Sequence, residues 1–360
     1  MTNQKRLTRL RKRLAKNKIE SLLVTNILNV RYLSGFTGSS ASILITQDKA
    51  LFIADFRYLS QAEEEVTGFK IIKQEKPLGQ TLAKILKGIS LKELGVEENH
   101  LSYKEFKLLC GKLKSVKLIP ASGLAEGLRL KKDRREIARI KKAASIAVSA
   151  GWQVISNLCQ GIREKDIAAE LEYQLKKRGA RKASFEIIVA SGPRSALPHA
   201  QAKDRRLKEG DLVLIDWGAN FDGYNCDMTR TVAIGRIDKE LERVYGTVLR
   251  SQKKALSLLG SGVKNSTIDK KARAVIKRAG FGKYFDHSLG HGVGLAVHEG
   301  PTISRFKRHE TELKAGMVIT IEPGIYLPFC GGVRIEDTVL MLKNGYLNLT
   351  EGFPKELLIL

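Results

Sequence analysis

Leu212-Val-Leu-Ile-Asp216-Trp-Gly-Ala-Asn-Phe221-Asp-Gly223-Tyr-Asn-Cys-Asp227-Met-Thr-Arg-Thr231 is the stretch from which the fold of this 360-residue chain can be read. Two runs able to form buried strands flank Asn220-Phe-Asp-Gly223. Those turn residues suit a hairpin, because Asn, Asp and Gly tolerate the backbone angles of tight turns. Centring the turn between Phe221 and Asp222 sets Asp216 directly opposite Asp227 on one face of the ladder. Like charges facing each other destabilise a sheet. A single acid at the end of an apolar strand could be a satisfied structural carboxylate, but two placed to repel each other call for a cation between them.

Further acids sit in the same kind of setting. Glu322 ends the apolar run Met317-Val-Ile-Thr-Ile321, just before Pro323-Gly324, and Glu336 lies in Gly331-Gly-Val-Arg-Ile-Glu-Asp-Thr-Val-Leu340. A buried carboxylate needs a partner charge or a metal. Taken singly, each fits a structural ion pair as well as a ligand; taken together they favour ligands. The chain has six histidines. Three of them, His287, His291 and His298, fall in one Gly-rich segment whose glycines let the backbone approach closely and aim His291. His199 is isolated behind Pro198. His100 and His309 lie in polar stretches and read as surface residues.

Outward from these motifs, the first third of the chain alternates periods. Leu22–Thr25, Ala41–Thr46, Ala50–Ala54 and Val116–Pro120 read as strands. Arg57–Glu65, Leu78–Lys87 and Tyr103–Lys114 read as helices, so this part is an α/β domain. Pro120 to Gly127 is the natural boundary, giving domains 1–124 and 125–360. A long helix starts near Asp133, with an apolar stripe through Ile137, Ile140, Ala144, Val148 and Trp152, and a second runs to Gly179. Strands 184–190 and 211–231 follow. Helices Leu241–Leu259 and Ile268–Ala279 and strands Val318–Glu322 and Val333–Leu340 then repeat the order. Two such batches predict an α+β second domain built from two related halves.

Composition excludes several classes. Hydrophobic residues make up 43%, enough for a sizeable core. No apolar run approaches the ~20 residues of a membrane span, and Met1 to Lys18 lacks the apolar region of a secretory signal. The four cysteines are scattered, which argues against a disulfide framework and for a reducing cytoplasm. The net charge of +25 is spread over both halves. Its two densest runs, residues 1–18 and 129–142, are also periodic in apolar residues and read as solvated helix faces rather than an anion-binding patch. No RNP-like aromatic motif, zinc finger or phosphate loop supports a specific nucleic-acid partner.

Asp-Trp-Gly…Asp-Met-Thr-Arg-Thr, Gly-His-Gly-Val-Gly-Leu-Ala-Val-His-Glu, Ile-Glu-Pro-Gly-Ile-Tyr and Gly-Gly-Val-Arg-Ile-Glu-Asp, in this order, resemble the Xaa-Pro peptidases of the pita-bread metallopeptidases (family M24B), aminopeptidase P and prolidase. Tyr32-Leu-Ser-Gly-Phe-Thr-Gly-Ser-Ser40 and Arg57-Tyr58 with Gln61-Ala62 resemble the creatinase-type N-terminal domain of that group. The resemblance implies an α/β creatinase-like domain followed by an α+β pita-bread catalytic domain. It implies two divalent metal ions held by Asp216, Asp227, His291, Glu322 and Glu336. Four carboxylates and one imidazole favour Mn²⁺, with Co²⁺, Zn²⁺ or Fe²⁺ as alternatives. By the same resemblance Glu322 is a proton shuttle, and His199 and His298 contact the peptide and its oxyanion. His287, Tyr326 and Arg334 match positions near the substrate; Tyr326 and Arg334 are equally suited to supporting Glu322 and Glu336. Arg194 reads either as a surface residue or as a contact for a substrate carboxylate.

The activity implied is hydrolysis of the bond between an N-terminal residue and a penultimate proline, in a homodimer acting on proline-containing peptides. An Xaa-Pro dipeptidase is the alternative. A non-catalytic binding protein on the same fold is a third reading, against which the five intact positions count. Proline needs a dedicated site because the bond before it lacks an N–H and is conformationally restricted.

Overall fold

The computed structural model describes residues 2–89 and 91–360. It divides into two compact units, Met1–Arg129 and Leu130–Leu360. The expected boundary falls earlier, between 124 and 125. The short helix Glu126–Arg129 goes with the first unit, where Asn29 Nδ2 donates to Glu126 Oε1 at 2.6 Å and Arg129 Nη1 donates to Asn29 Oδ1 at 2.8 Å.

The first unit is a six-stranded mixed sheet in the order Lys70–Lys73, Ala50–Ala54, Ser42–Thr46, Ser21–Val24, Glu93–Val96 and Lys117–Pro120. Helix Asn3–Lys16 opens it and buries Leu7, Leu10 and Leu14, as their spacing predicts. Helices Leu59–Glu65, Leu78–Leu86 and Tyr103–Lys112 lie where expected. Strands Lys70–Lys73 and Glu93–Val96 and helix Ile27–Ser34 are additional to the sequence reading.

In the second unit helices Arg134–Ile155 and Glu164–Lys177 precede antiparallel strands Ile188–Ser191, Leu212–Trp217 and Met228–Ala233. Helices Lys239–Leu256 and Asn265–Arg278 then precede antiparallel strands Gly290–Gly292, Val318–Ile321 and Asp337–Met341. The repeated order gives two cores, one around Trp217 and Ile215 and one around Ile319 and Val339. Every residue of Leu212–Trp217 is buried, and each such apolar side chain contributes about 1.5–3 kcal/mol. Helix Arg134–Ile155 starts on a capping box, with Asp133 accepting from Glu136 N at 3.1 Å and Glu136 accepting from Asp133 N at 2.9 Å. Its buried face runs through Ile140, Ala143, Ala147 and Val154. Trp152, expected in the apolar stripe, is instead partly exposed and stacks on Phe353. Among the described residues no helix is long and apolar enough to cross a membrane.

The hairpin register corrects one expectation. Phe221 pairs with Tyr224 and Asp216 with Thr229. The turn is therefore Asp222-Gly223, both at positive φ (48° and 79°). Asp-Gly is favoured where both turn residues take positive φ, because that twist matches the flanking strands. Asp227 is thus one pleat away from the residue opposite Asp216. The shift is even, so both acids keep the same face.

Candidate metal centre

The second unit carries its acids on strand ends and breaks. Asp216 is the fifth residue of Leu212–Trp217. Asp227 lies in the irregular pair preceding Met228–Ala233, where its N–H donates to Thr338 Oγ1 at 3.1 Å. Glu322 follows Val318–Ile321 immediately. Glu336 occupies a break between Gly331–Arg334 and Asp337–Met341, pinned by an isolated antiparallel bridge to Thr229. The expected continuous strand Val333–Leu340 is interrupted here, which turns Glu336 toward the other acids. His291 is the middle residue of Gly290–Gly292, where strands crowd on both sides. A Cβ on Gly290 would collide with the Thr320 carbonyl oxygen, and one on Gly292 with that of Gly300.

These placements converge. In the groups Asp227/His291/His298, His291/Glu322/Glu336 and Asp216/Asp227/Glu336, one donor atom from each residue lies within 4.8 Å of the others. His291 Nε2 is 3.6 Å from Asp227 Oδ2 and 3.5 Å from Glu322 Oε1. Asp216 Oδ1, Asp227 Oδ1 and Glu336 Oε1 are buried and find no hydrogen-bond partner among the described residues. Burial first, and then repulsion from Glu336, Asp216 and Glu322, pushes the Asp227 carboxyl well above its usual range. Burial and then Glu322 and Asp216 do the same to Glu336. Glu322 rises to about 8, burial outweighing the opposing pull of Arg334.

Burial, and then the charge of His298, lowers His291 to about 4, so it is neutral. Its Nδ1 lies 3.1 Å from the Gly292 carbonyl and must donate to it, leaving the Nε2 lone pair aimed at two carboxylates. Lone pairs and orphan oxygens facing one another repel unless cations lie between them. Donors about 2.1 Å from a shared cation stand roughly 3–4 Å apart, so the arrangement fits divalent metal.

Hydrogen bonds fix the outer edge of the cluster. Arg334 donates from Nη2 to Asp216 Oδ2 at 2.7 Å, from Nε to Thr229 Oγ1 at 3.1 Å, and from Nη1 to Tyr326 OH at 2.9 Å and the Pro198 carbonyl at 3.2 Å. Thr229 Oγ1 passes the connection on, donating to Glu336 Oε2 at 2.7 Å. Tyr326 OH accepts from Arg334 and donates to His287 Nε2 at 3.0 Å, while His287 Nδ1 donates to the Ser288 carbonyl at 2.8 Å. Burial, and then Arg334, lower His287 to about 4.

The next acid in the sequence has the opposite environment. Asp337 accepts from Arg230 at 2.8 Å, Gln252 at 2.7 Å and Thr350 at 2.9 Å, with Lys355 at 2.8 Å. Burial works against its charge, but Arg230 and Lys355 hold it below the usual carboxylate range.

A cavity of about 670 Å³ opens on the cluster. All five candidate ligands line it, with His199, His287, His298, Tyr326 and Arg334. His199 and His298 are exposed there, and the His298 ring lies 4.2 Å from that of His291. Arg194 does not line the cavity; it pairs with the buried Glu164 at 3.1 Å and closes the loop bearing His199. The sequence reading missed Thr229, which holds Glu336, and two parts of the cavity lining, Glu299 and the Phe185–Ile188 wall. Thr229 had a usable signal, since it lies two residues beyond Asp227 on the same face. The wall had none, because tertiary packing alone brings it to the site.

Residues 138–343 match the metallopeptidase family M24, and residues 6–131 match the creatinase/prolidase N-terminal domain. The chain belongs to metallopeptidase family M24 and has its pita-bread fold. It is similar to an Xaa-Pro dipeptidase of Pyrococcus horikoshii, 41% identical over 339 residues, 93% of this chain and 94% of the relative. The solved Xaa-Pro dipeptidase from Bacillus anthracis superposes with a TM-score of 0.96 at 39% identity over the whole of both chains. An X-Pro aminopeptidase from Thermotoga maritima gives 0.86 at 38% identity, covering 95% of this chain and 98% of that one.

Proposed function

We propose that the chain is a dinuclear metal-dependent Xaa-Pro aminopeptidase that releases the N-terminal residue from peptides with proline in second position. The observation that carries the metal part is the set of three orphaned, buried carboxylate oxygens on the clustered acids Asp216, Asp227 and Glu336, two of which also group with His291. Asp216, Asp227, His291, Glu322 and Glu336 would hold the ions, Mn²⁺ by the oxygen-rich donor set. When bound, such ions polarise a carbonyl and make water acidic enough to ionise near neutral pH. Glu322, raised toward neutrality, is suited to take a proton and return it to the departing proline nitrogen. His298 and His199 reach the cavity from two different loops and would donate N–H groups to the scissile carbonyl oxygen. Arg334 spends four of its five N–H donors inside the protein, which favours a supporting role for it and for Tyr326.

The names of the relatives favour a second reading, an Xaa-Pro dipeptidase. A dipeptide brings its C-terminal carboxylate into the cavity. Among the described lining residues, Arg334 is the only Lys or Arg, and it is already committed to Asp216. A longer peptide has no carboxylate at that point, which supports the aminopeptidase. A homodimer is part of the proposal, and light scattering of the purified protein checks it.

The test offers Mn²⁺-loaded protein Ala-Pro, Ala-Pro-Ala and Ala-Ala-Ala, with a chelator control. Chelator-sensitive cleavage of Ala-Pro-Ala is expected. Cleavage of Ala-Pro alone would favour the dipeptidase, cleavage of Ala-Ala-Ala at the same rate would remove the proline specificity, and cleavage of nothing would overturn both readings.

A further inference from the structure

We infer that the buried ion pair Lys132–Glu299 positions His298, making Lys132 part of the working machinery of a cleft that it does not line. The role given to His298 rests on the peptidase reading above. Lys132 falls in a basic run otherwise suited to a solvated helix face, yet its Nζ lies 2.8 Å from Glu299 Oε1 with the two side chains 1% and 10% exposed. Glu299 follows His298 directly, lines the cavity and opens strand Glu299–Ile303. The pair therefore sits at the root of the loop Val293–His298.

The rest of that loop is anchored at its other end. Asn225 donates from its side chain to the Gly294 and Leu295 carbonyls, each at 3.0 Å, and from its backbone N–H to the Gly294 carbonyl at 2.9 Å. Near the root, Ala296 N–H donates to Glu299 Oε2 at 3.3 Å. The loop backbone lies directly on the ion pair, since a Cβ on Gly294 would stand 2.5 Å from Glu299 Oε1 and 3.1 Å from Lys132 Cε. Lys132 is itself fixed, because its N–H donates to the Gly316 carbonyl at 2.8 Å and the next residue caps helix Arg134–Ile155.

A buried ion pair is a poor way to gain stability, because desolvation offsets most of the attraction. It is a good way to hold a backbone in one place, because either charge left alone is strongly disfavoured. His298 is an exposed ring on a short loop, beside the His291 ring at 4.2 Å, and its aim depends on where that loop is held. An anchor that fixes the adjacent residue from below supplies that aim.

The test compares Lys132→Met, Lys132→Arg and the charge-free pair Lys132→Met/Glu299→Gln, each alone and with His298→Ala. The first readout uses metal-free protein with ¹³C-labelled histidine rings at fixed pH, the His298 signal being assigned by its loss in His298→Ala. Lys132→Met should shift or broaden the His298 signal more than the His199 signal, and Lys132→Arg should restore it. Equal perturbation of both signals, or none, would overturn the inference. The second readout is turnover of Ala-Pro-Ala. Lys132→Met, or the charge-free pair if the single variant does not fold, should lower kcat about 10-fold when His298 is present and less than about 2-fold in the His298→Ala background, since residues acting as one unit are not additive. Equal losses in both backgrounds would mean that Lys132 does not act through His298. The resonance readout needs neither metal nor turnover, so an inactive wild-type protein would sink the peptidase reading while leaving this test intact.

Discussion

Glu336 and Asp337 are neighbours in sequence, and neutralising them should move the stability of the metal-free protein in opposite directions. Asp337 is fully buried against Arg230 and Lys355. Removing one partner of a buried, hydrogen-bonded pair costs about 3–5 kcal/mol. At roughly 2–4 °C per kcal/mol for a domain of this size, Asp337→Asn should lower Tm by about 6–20 °C, with or without metal. Glu336 is 1% exposed, with one carboxylate oxygen on Thr229 and the other without a hydrogen-bond partner among the described residues. Its folded pKa lies above the unfolded one, so the folded state keeps a proton that the unfolded chain releases. The group therefore costs stability progressively as pH rises above the ordinary carboxylate range. Glu336→Gln cannot ionise and should relieve about 1–3 kcal/mol at pH 8, a gain of roughly 2–12 °C. At pH 5 the gain should shrink toward zero. Calorimetry in chelator at both pH values measures this, and repeating it with Mn²⁺ should reverse the order of Glu336→Gln and wild type. A Glu336→Gln variant that melts as low as Asp337→Asn at pH 8 without metal would refute the picture of an unpaired acid cluster.

Three more outcomes follow from the same geometry. Metal-free wild type should lose stability between pH 5 and 8, because the Glu322 pKa is raised to about 8 and its contribution falls as pH rises through that window; a chelator-treated melting series checks it, and Mn²⁺ should flatten the curve. Thr229→Val removes the donor to Glu336 and should weaken Mn²⁺ binding about 10–100-fold by calorimetric titration, the range typical of groups that orient metal ligands. Gly292→Ala drives a methyl group onto the Gly300 carbonyl and should destabilise by at least about 1–3 kcal/mol in denaturant titration.

Most of the second unit was legible because its chemistry contradicts its surroundings. Asp216, Glu322 and Glu336 are acids in runs that otherwise read as buried strand; Asp216 proves to be the penultimate residue of its strand, Glu322 follows its strand, and Glu336 sits at a break, all three within the same cluster. The hairpin register was misplaced by taking Asn220 into the turn; the Asp222-Gly223 pair alone had the positive-φ signature. Strand Lys70–Lys73 was missed because it is a half-exposed edge with lysines at both ends. Strand Glu93–Val96 contains Gly95, whose missing Cβ admits Ala121 and the Ser21 carbonyl, a close approach that no local pattern announces. The net charge of +25 gave no hint that Lys132 is buried, since the sequence around it reads as an ordinary basic helix start.

Anomalous diffraction from crystals grown with Mn²⁺ would locate the two ions of the proposed metal centre. Two peaks per chain are expected, bounded by Asp216, Asp227, His291, Glu322 and Glu336, both lost with the chelator. Absence of any peak among those five residues, with Mn²⁺ bound elsewhere or not at all, would contradict the proposed centre.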